Sequence, residues 1–287
     1  MQYHTATSFE NAVELAETAK GTIRFLAGGT DVLVQLRSDI VIPDILIDLK
    51  NIPGAKDINR LADGSWQIGA AVSGAQLNEH AELKADWPGL VEAMDLIGST
   101  QVQGRATLTG NLCNGSPAAD AVPAMLAANA TVTIIGPGGE RQAAVEDIPS
   151  GPGKTTLNPG EVIASVNIPA QPKGGADSYL RFIPRTEMDI AVVGCAVSLV
   201  LDGAQIANAR VAIGAVAPTV RPVESAAEAL IGSALDDAAL ADLAAAVREA
   251  CDPINDKRGT IEYRTHVAGV LAQRAAKTAH ARARTKS

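Results

Sequence analysis

The segment AGGTDVLVQL, Ala27 to Leu36, constrains the fold more than any other. It sets two adjacent glycines between a short apolar run, TIRFL, and a helix-periodic stretch, which reads as strand, tight turn and helix. Glycine reaches positive φ and carries no Cβ, so the backbone there can follow a path, or approach a group, closed to other residues. A helix start exposes unpaired N–H groups and attracts anions. Gly28 and Gly29 therefore read either as a turn serving the chain path alone or as a cradle for something large and negatively charged. Thr30 adds a hydroxyl donor, and Asp31 favours the start of the helix.

A second segment, ATLTGNLCNGSPAAD from Ala106 to Asp120, lies about 80 residues further on. It gathers Thr107, Thr109, Asn111, Asn114 and Ser116 around Gly110 and Gly115 with almost no charge. Such a loop can surround a diphosphate with neutral hydrogen-bond partners; the plainer reading is an asparagine-rich surface loop. Leu108, Leu112 and Cys113 favour a buried loop whose polar groups need partners. Asp120 is either the N-cap of a following helix or an acceptor for a sugar or base hydroxyl.

Composition narrows the function classes. The 287 residues suffice for one large domain or two modest ones. A net charge of −8 and an aromatic content of 3% argue against nucleic-acid binding, which needs a basic face and stacking rings. The basic tail QRAAKTAHARARTKS reads as a solvated, fraying helix end. No run approaches the roughly 20 apolar residues of a membrane span, and the N-terminus has no secretory pattern. Cys113, Cys195 and Cys251 show no CxxC spacing, and the four histidines show no metal-ligand spacing. The expectation is a cytoplasmic chain with no metal of its own.

Periodicity gives the order of elements. Ser8 caps a helix over residues 9–18, and strands are expected at 22–26 and 44–49 around the helix at 31–38, an α-β-α-β opening. WQIGAAV is a strand, Ser73 caps a helix through Glu79, and PGLVEAMDLIG is helical from Pro88. TVTIIGPGGERQAAV gives two strands about a turn, and EVIASVNIP gives another. PAQPKGGADS has linker composition, placing a boundary near residue 172. Beyond it come three antiparallel strands (SYLRFI, IAVVGCAVSLVL, ARVAIGAVA) and two alanine-rich amphipathic helices.

AGGTDVLVQLR and ATLTGNLCNGSPAAD resemble the two FAD-binding loops of the medium, flavin-carrying subunits of molybdenum hydroxylases, the carbon monoxide dehydrogenase and xanthine dehydrogenase type. GSTQVQGRATLTGN, GEVIASVNIP, RFIPRTEMDIAVV, VAIGAVAPTVRP and EYRTHVAGVLAQRA extend the resemblance over nearly the whole chain. It implies an α+β fold: a two-part FAD-binding domain of the p-cresol methylhydroxylase type over residues 1–172. A smaller domain, a three-stranded antiparallel sheet with helices, would occupy residues 173–287. By the same resemblance Ala27, Gly28, Gly29, Thr30, Asp31 and Val32 would hold the FAD pyrophosphate. Thr107, Leu108, Thr109, Gly110 and Asn111 would lie along the diphosphate and ribityl chain. Asp120 would accept a hydrogen bond from a ribose or ribityl hydroxyl, Ile163 would border the cofactor, and Arg181 would stabilise negative charge on reduced flavin. Thr109 stands where the family has glycine; a β-branched residue tolerates positive φ poorly, so a shifted loop path and an extra hydroxyl donor are expected there.

The implied partners are a large molybdopterin subunit and a small subunit with two [2Fe–2S] clusters, assembled as a dimer of heterotrimers. Electrons would pass from the clusters through FAD to an acceptor such as NAD or a quinone. GPGKTT is no phosphate-binding P-loop, because position 148 is Ile148 where that pattern needs glycine. No catalytic constellation is legible from local spacing. A stand-alone flavin-dependent oxidoreductase and a flavin-free scaffold are the alternatives.

Overall fold

The computed structural model describes residues 1–185 and 188–286. Thr186 and Glu187, inside the family-like segment RFIPRTEMDIAVV, lie outside the described residues. The chain opens with a strand that the periodicity did not predict, β1 (Gln2–Thr5), and continues through α1 (Phe9–Thr18), β2 (Ile23–Leu26), α2 (Val32–Arg37) and β3 (Ile45–Asp48). These strands form a parallel sheet in the order β1-β3-β2. Ser8 starts α1 as expected, its hydroxyl accepting the Asn11 N–H at 3.0 Å. Ala12, Val13 and Ala16 pack the helix against the sheet with Ile47.

A second sheet carries the larger core. β4 (Ile58–Arg60) and β5 (Trp66–Gly69) precede six helices: α3 (Gly74–Glu79), α4 (Ala81–Asp86), α5 (Pro88–Asp95), α6 (Thr100–Gln103), α7 (Leu108–Cys113) and α8 (Ala121–Ala127). β6 (Thr131–Gly136) and β7 (Gly139–Ala144) follow as the predicted hairpin. A small pair, β8 (Pro149–Gly151) and β9 (Lys154–Thr155), then leads to β10 (Val162–Ile168). The order is β4-β5-β10-β6-β7, so β10 inserts between β6 and β5, which precedes all six helices. Ser73 and Gln76 form a reciprocal capping box at the start of α3. Trp66, Leu90, Met94, Leu108 and Met125 are fully or almost fully buried beneath the helices, each worth about 1.5–3 kcal/mol of transfer free energy.

The C-terminal domain is an antiparallel sheet of β11 (Gly175–Phe182), β12 (Val193–Asp202), β13 (Gln205–Gly214) and β14 (Arg221–Pro222). The three expected strands are there, and the two-residue β14 adds a short fourth. α9 (Glu224–Glu228), α10 (Asp237–Glu249) and the long α11 (Ile261–Lys286) cover it. Alanines 268, 272, 275, 276, 279 and 283 are fully buried along α11. Their small side chains let the helix lie close to the sheet, which explains a core built with so few rings.

The basic tail, described through Lys286, continues as helix α11 and is tied to the first domain rather than frayed. Arg282 pairs with Glu92 of α5 and donates to the Asp177 carbonyl at 2.9 Å, and the Lys286 ammonium donates to the Ala85 carbonyl at 2.7 Å. The cationic end of α11 thus meets a carboxylate and open carbonyls on the first domain. Beside this clasp, the Asp177 carboxylate on β11 accepts the N–H groups of Gly89 and Leu90 at 3.0 Å each. It caps α5 from another domain, because Trp87 at the helix start makes no side-chain cap.

Burial pushes the Asp177 carboxyl up to about 6, against the pull of the two N–H donors. The native state therefore holds this proton more tightly than the unfolded chain, and this group's contribution to stability falls as pH rises from about 4 to about 6, then levels. Urea unfolding at pH 4 and pH 7 is expected to show the wild type losing up to about 3 kcal/mol relative to Asp177→Asn across that range. Parallel pH profiles for the two proteins would overturn the assignment.

Candidate functional site

The two glycine segments meet. The Gly28 carbonyl accepts from the Arg105 Nε at 3.2 Å, 77 positions later, and Gln35 Nε2 donates to Asn114 Oδ1 at 3.3 Å. A Cβ on Gly28 would lie 2.0 Å from the Arg105 carbonyl oxygen. Gly28 is thus required by the neighbouring backbone. Gly29 has φ +82°, and a Cβ there would sit 2.8 Å from Leu26 Cδ1. Leu33 donates its N–H to the Gly29 carbonyl, so the chain enters α2 directly. Asp31 occupies the N-cap position but makes no side-chain cap bond, and desolvation raises its carboxyl above the ordinary range.

The middle of the second segment, Leu108–Cys113, is the helix α7 rather than a loop. Thr107 caps α7 by accepting the Gly110 N–H at 2.9 Å, and a Cβ on Gly110 would meet that hydroxyl. Thr109 lies inside the helix, so the conflict between a β-branched residue and positive φ does not arise. Its hydroxyl is no spare donor either: it binds the Ala70 carbonyl at 2.7 Å. Asn111 Oδ1 accepts the Ala121 N–H at 3.0 Å, tying α7 to α8. Leu108 and Leu112 fix the helix in the core; truncating either to alanine would cost about 2–5 kcal/mol. The polar side chains that suggested a ligand loop thus largely build the helix. An isolated antiparallel bridge pairs Thr107 with Ser73 at this helix start, the Gly74 N–H donating to the Ala106 carbonyl at 2.9 Å.

Between α2 and α7 opens a cleft of about 520 Å³, within the range of small-molecule and cofactor sites. Ala27, Gly28, Gly29, Thr30, Asp31 and Val32 line one side, and Thr107, Thr109, Gly110 and Asn111 line the other. Ile163 lines it from β10, where the pairing with β6 shifts register between Ile163 and Ser165; such a bulge re-aims side chains. Leu108 points into the core, and Asp120 and Arg181 do not border the cleft.

Asp120 and Arg181 find each other instead. Arg181 donates to Asp120 Oδ2 at 2.8 Å and the Tyr179 hydroxyl donates to Oδ1 at 2.7 Å, joining α8 to β11. Burial raises the Asp120 carboxyl, opposed by the Arg181 cation and both hydrogen bonds, and it drives the Tyr179 hydroxyl well above its ordinary value. Asp120 makes no cap bond to α8. The Arg181 Nε is buried with no partner among the described residues.

Sequence reasoning missed several cleft residues. Arg24 is the one lysine or arginine among the described lining residues, and its guanidinium meets only the Ile23 carbonyl at 3.2 Å. Its place between apolar neighbours in TIRFL was the available signal, a polar residue alternating in a strand. Ile97, Asn114 and the segment around GPGKTT also line the cleft. A neutral, amide-rich wall, two helix starts and a lone cation suit an elongated dinucleotide carrying a diphosphate.

Residues 1–171 match the FAD binding domain in molybdopterin dehydrogenase, and residues 178–279 match the CO dehydrogenase flavoprotein C-terminal domain. The fold is that of a flavoprotein that binds FAD. The chain belongs to the family of FAD-binding subunits of the molybdenum hydroxylases. It is 33% identical over 288 residues to the carbon monoxide dehydrogenase medium chain of Afipia carboxidovorans, covering 98% of this chain and 97% of that one. To the putative xanthine dehydrogenase FAD-binding subunit of Escherichia coli K12 it is 31% identical over 274 residues, 95% and 93% of the two chains. It superposes on carbon monoxide dehydrogenase from Hydrogenophaga pseudoflava with a TM-score of 0.94 at 32% identity, over 98% of each chain.

The crowding at Gly28 gives a direct check. Gly28→Ala forces a methyl into the Arg105 carbonyl and should lower stability by about 1–3 kcal/mol, with FAD retention at least tenfold weaker. Gly29→Val should likewise lose FAD, through strain at positive φ. Gly138→Ala, where a Cβ meets nothing within 4 Å, should match wild type in thermal unfolding and flavin content. Wild-type flavin retention in both loop variants would remove the loops from the site.

Proposed function

We propose that this chain is the FAD-carrying electron-transfer subunit of a three-subunit molybdenum hydroxylase. The observation that carries the reading is the convergence of two remote glycine-bearing segments on one cleft of cofactor size. Ala27 to Val32 hold the diphosphate from one side, with the peptide N–H groups ahead of α2 as donors. From the segment Thr107 to Asn111, Thr107, Thr109, Gly110 and Asn111 hold it from the other, while the Leu108 side chain is buried in the core. Ile163 packs against the cofactor from the floor. When bound, FAD supplies both one-electron and two-electron redox chemistry.

Asp120 and Arg181 act beside the cleft. Their ion pair with Tyr179 holds α8 against β11, and Arg181 acts on the cofactor through its charge rather than by contact, since it does not line the cleft. A cation fixed there favours added negative charge on its neighbour. The division between the two domains falls near residue 172, within the Pro- and Gly-containing segment before β11.

The partners under this reading are a large molybdopterin subunit and a small subunit with [2Fe–2S] clusters, paired as a dimer of heterotrimers in the cytoplasm. Electrons arrive from the clusters and leave to an acceptor such as NAD or a quinone. Relatives named as medium chains of carbon monoxide dehydrogenases support a multi-subunit setting. Among the described residues no metal-binding cluster occurs and no helix is long and apolar enough to cross a membrane.

Native purification tests the whole proposal. The chain should carry about one FAD and bring with it two further polypeptides, one containing iron and one molybdenum. A colourless chain that cannot be reconstituted with FAD overturns it, and a yellow chain that purifies alone overturns the subunit assignment. For Arg181, redox titration of Arg181→Ala should give a lower flavin midpoint potential than wild type; an unchanged midpoint removes the electrostatic role.

A further inference from the structure

The sequence GPGKTT fails as a P-loop, yet the fold brings it to the cleft. Gly153, Thr155 and Leu157 line the cavity beside α7. The base of this hairpin is rigid. Ile148 and Val145 are fully buried, the Thr156 N–H donates to the Ile148 carbonyl at 2.9 Å, and the Thr156 hydroxyl donates to the Asp147 carbonyl at 2.8 Å. Its tip is pinned to the turn after α7, where the Gly153 N–H donates to the Gly115 carbonyl at 2.9 Å. That turn has no room for a side chain: Gly115 has φ +62°, and a Cβ there would lie 2.7 Å from the Lys154 nitrogen. The hairpin and the second glycine segment are therefore packed backbone against backbone.

Thr155 faces the cavity from this wall. The hydroxyls of Thr107 and Thr109 are engaged within the protein, whereas the Thr155 hydroxyl has no hydrogen-bond partner among the described residues. We infer that the β8–β9 hairpin is a third wall of the FAD site, and that the Thr155 hydroxyl donates a hydrogen bond to a phosphate or ribityl oxygen of the bound FAD. This rests on the reading of the cleft as the FAD site. A hydroxyl on a doubly anchored hairpin is oriented before the ligand arrives, which limits the ordering cost of binding.

The test is FAD titration of the full chain after flavin removal, followed by flavin fluorescence, in wild type, Thr155→Val and Thr155→Ser. Thr155→Val keeps the shape and removes the donor, and should raise the Kd about five- to tenfold; Thr155→Ser should stay within about twofold of wild type. Equal thermal unfolding of the flavin-free proteins shows that the hairpin is intact. If Thr155→Val does not fold, a Thr155→Ser Kd raised by tenfold or more overturns the inference, and one near wild type supports it. Wild type that binds FAD beside a Thr155→Val of equal Kd overturns this inference alone. Wild type that binds no FAD overturns the parent reading and this one with it.

Discussion

The Gly28 backbone pressed against the Arg105 carbonyl is the contact on which the rest of the site depends. A parallel sheet on one side and a helix-covered antiparallel sheet on the other come together there, with no room for a Cβ at position 28. The cleft is the gap that remains beside this seam. A methyl group at position 28 would separate the walls by more than a hydrogen bond tolerates, so one atom sets the width of the cavity.

The second domain stabilises that arrangement from behind. Polar contacts join it to the first at several places, among them Asp120 with Tyr179 and Arg181, Asp177 with the start of α5, Arg210 with the Leu126 carbonyl and Glu146, and Arg282 and Lys286 with the α4–α5 region. A buried ion pair is a poor source of stability, because desolvation of both charges offsets their attraction. Its value here is positional. The hydroxyl and guanidinium on β11 admit one register against α8, so α7, which is bonded to α8 through Asn111, inherits a fixed place.

Much of this was legible in the sequence where a local rule decides the structure. The Ser8 and Ser73 caps, the strand at 162–168 and the alanine faces of α10 and α11 follow from side-chain chemistry and period alone. β1 was missed because QYHT is short and polar, and its exposed edge is held only by pairing with β3. The second glycine segment was read as a loop because threonine, asparagine and glycine are poor helix formers. Tertiary packing of Leu108 and Leu112 overrides that propensity. For the site, the two glycine segments were legible as such, whereas Arg24 and Thr155 were not, since nothing local says that a strand residue and a hairpin 130 positions apart share a cavity. Asp120 and Arg181 were nominated by resemblance, and their mutual pairing is a property of the assembled domains.

The placement of β10 has a bearing on how the molecule matures. It lies between β5 and β6, and its leading residues form the floor of the cleft. Roughly a hundred residues separate β5 from β10, so the sheet closes late and by a contact distant along the polypeptide, the kind that slows folding. Until that insertion the floor is absent and the walls have nothing to span. On the proposed reading of the cleft, cofactor capture therefore belongs to the finished sheet, and a nascent or partly opened chain has no half-built pocket in which to trap flavin.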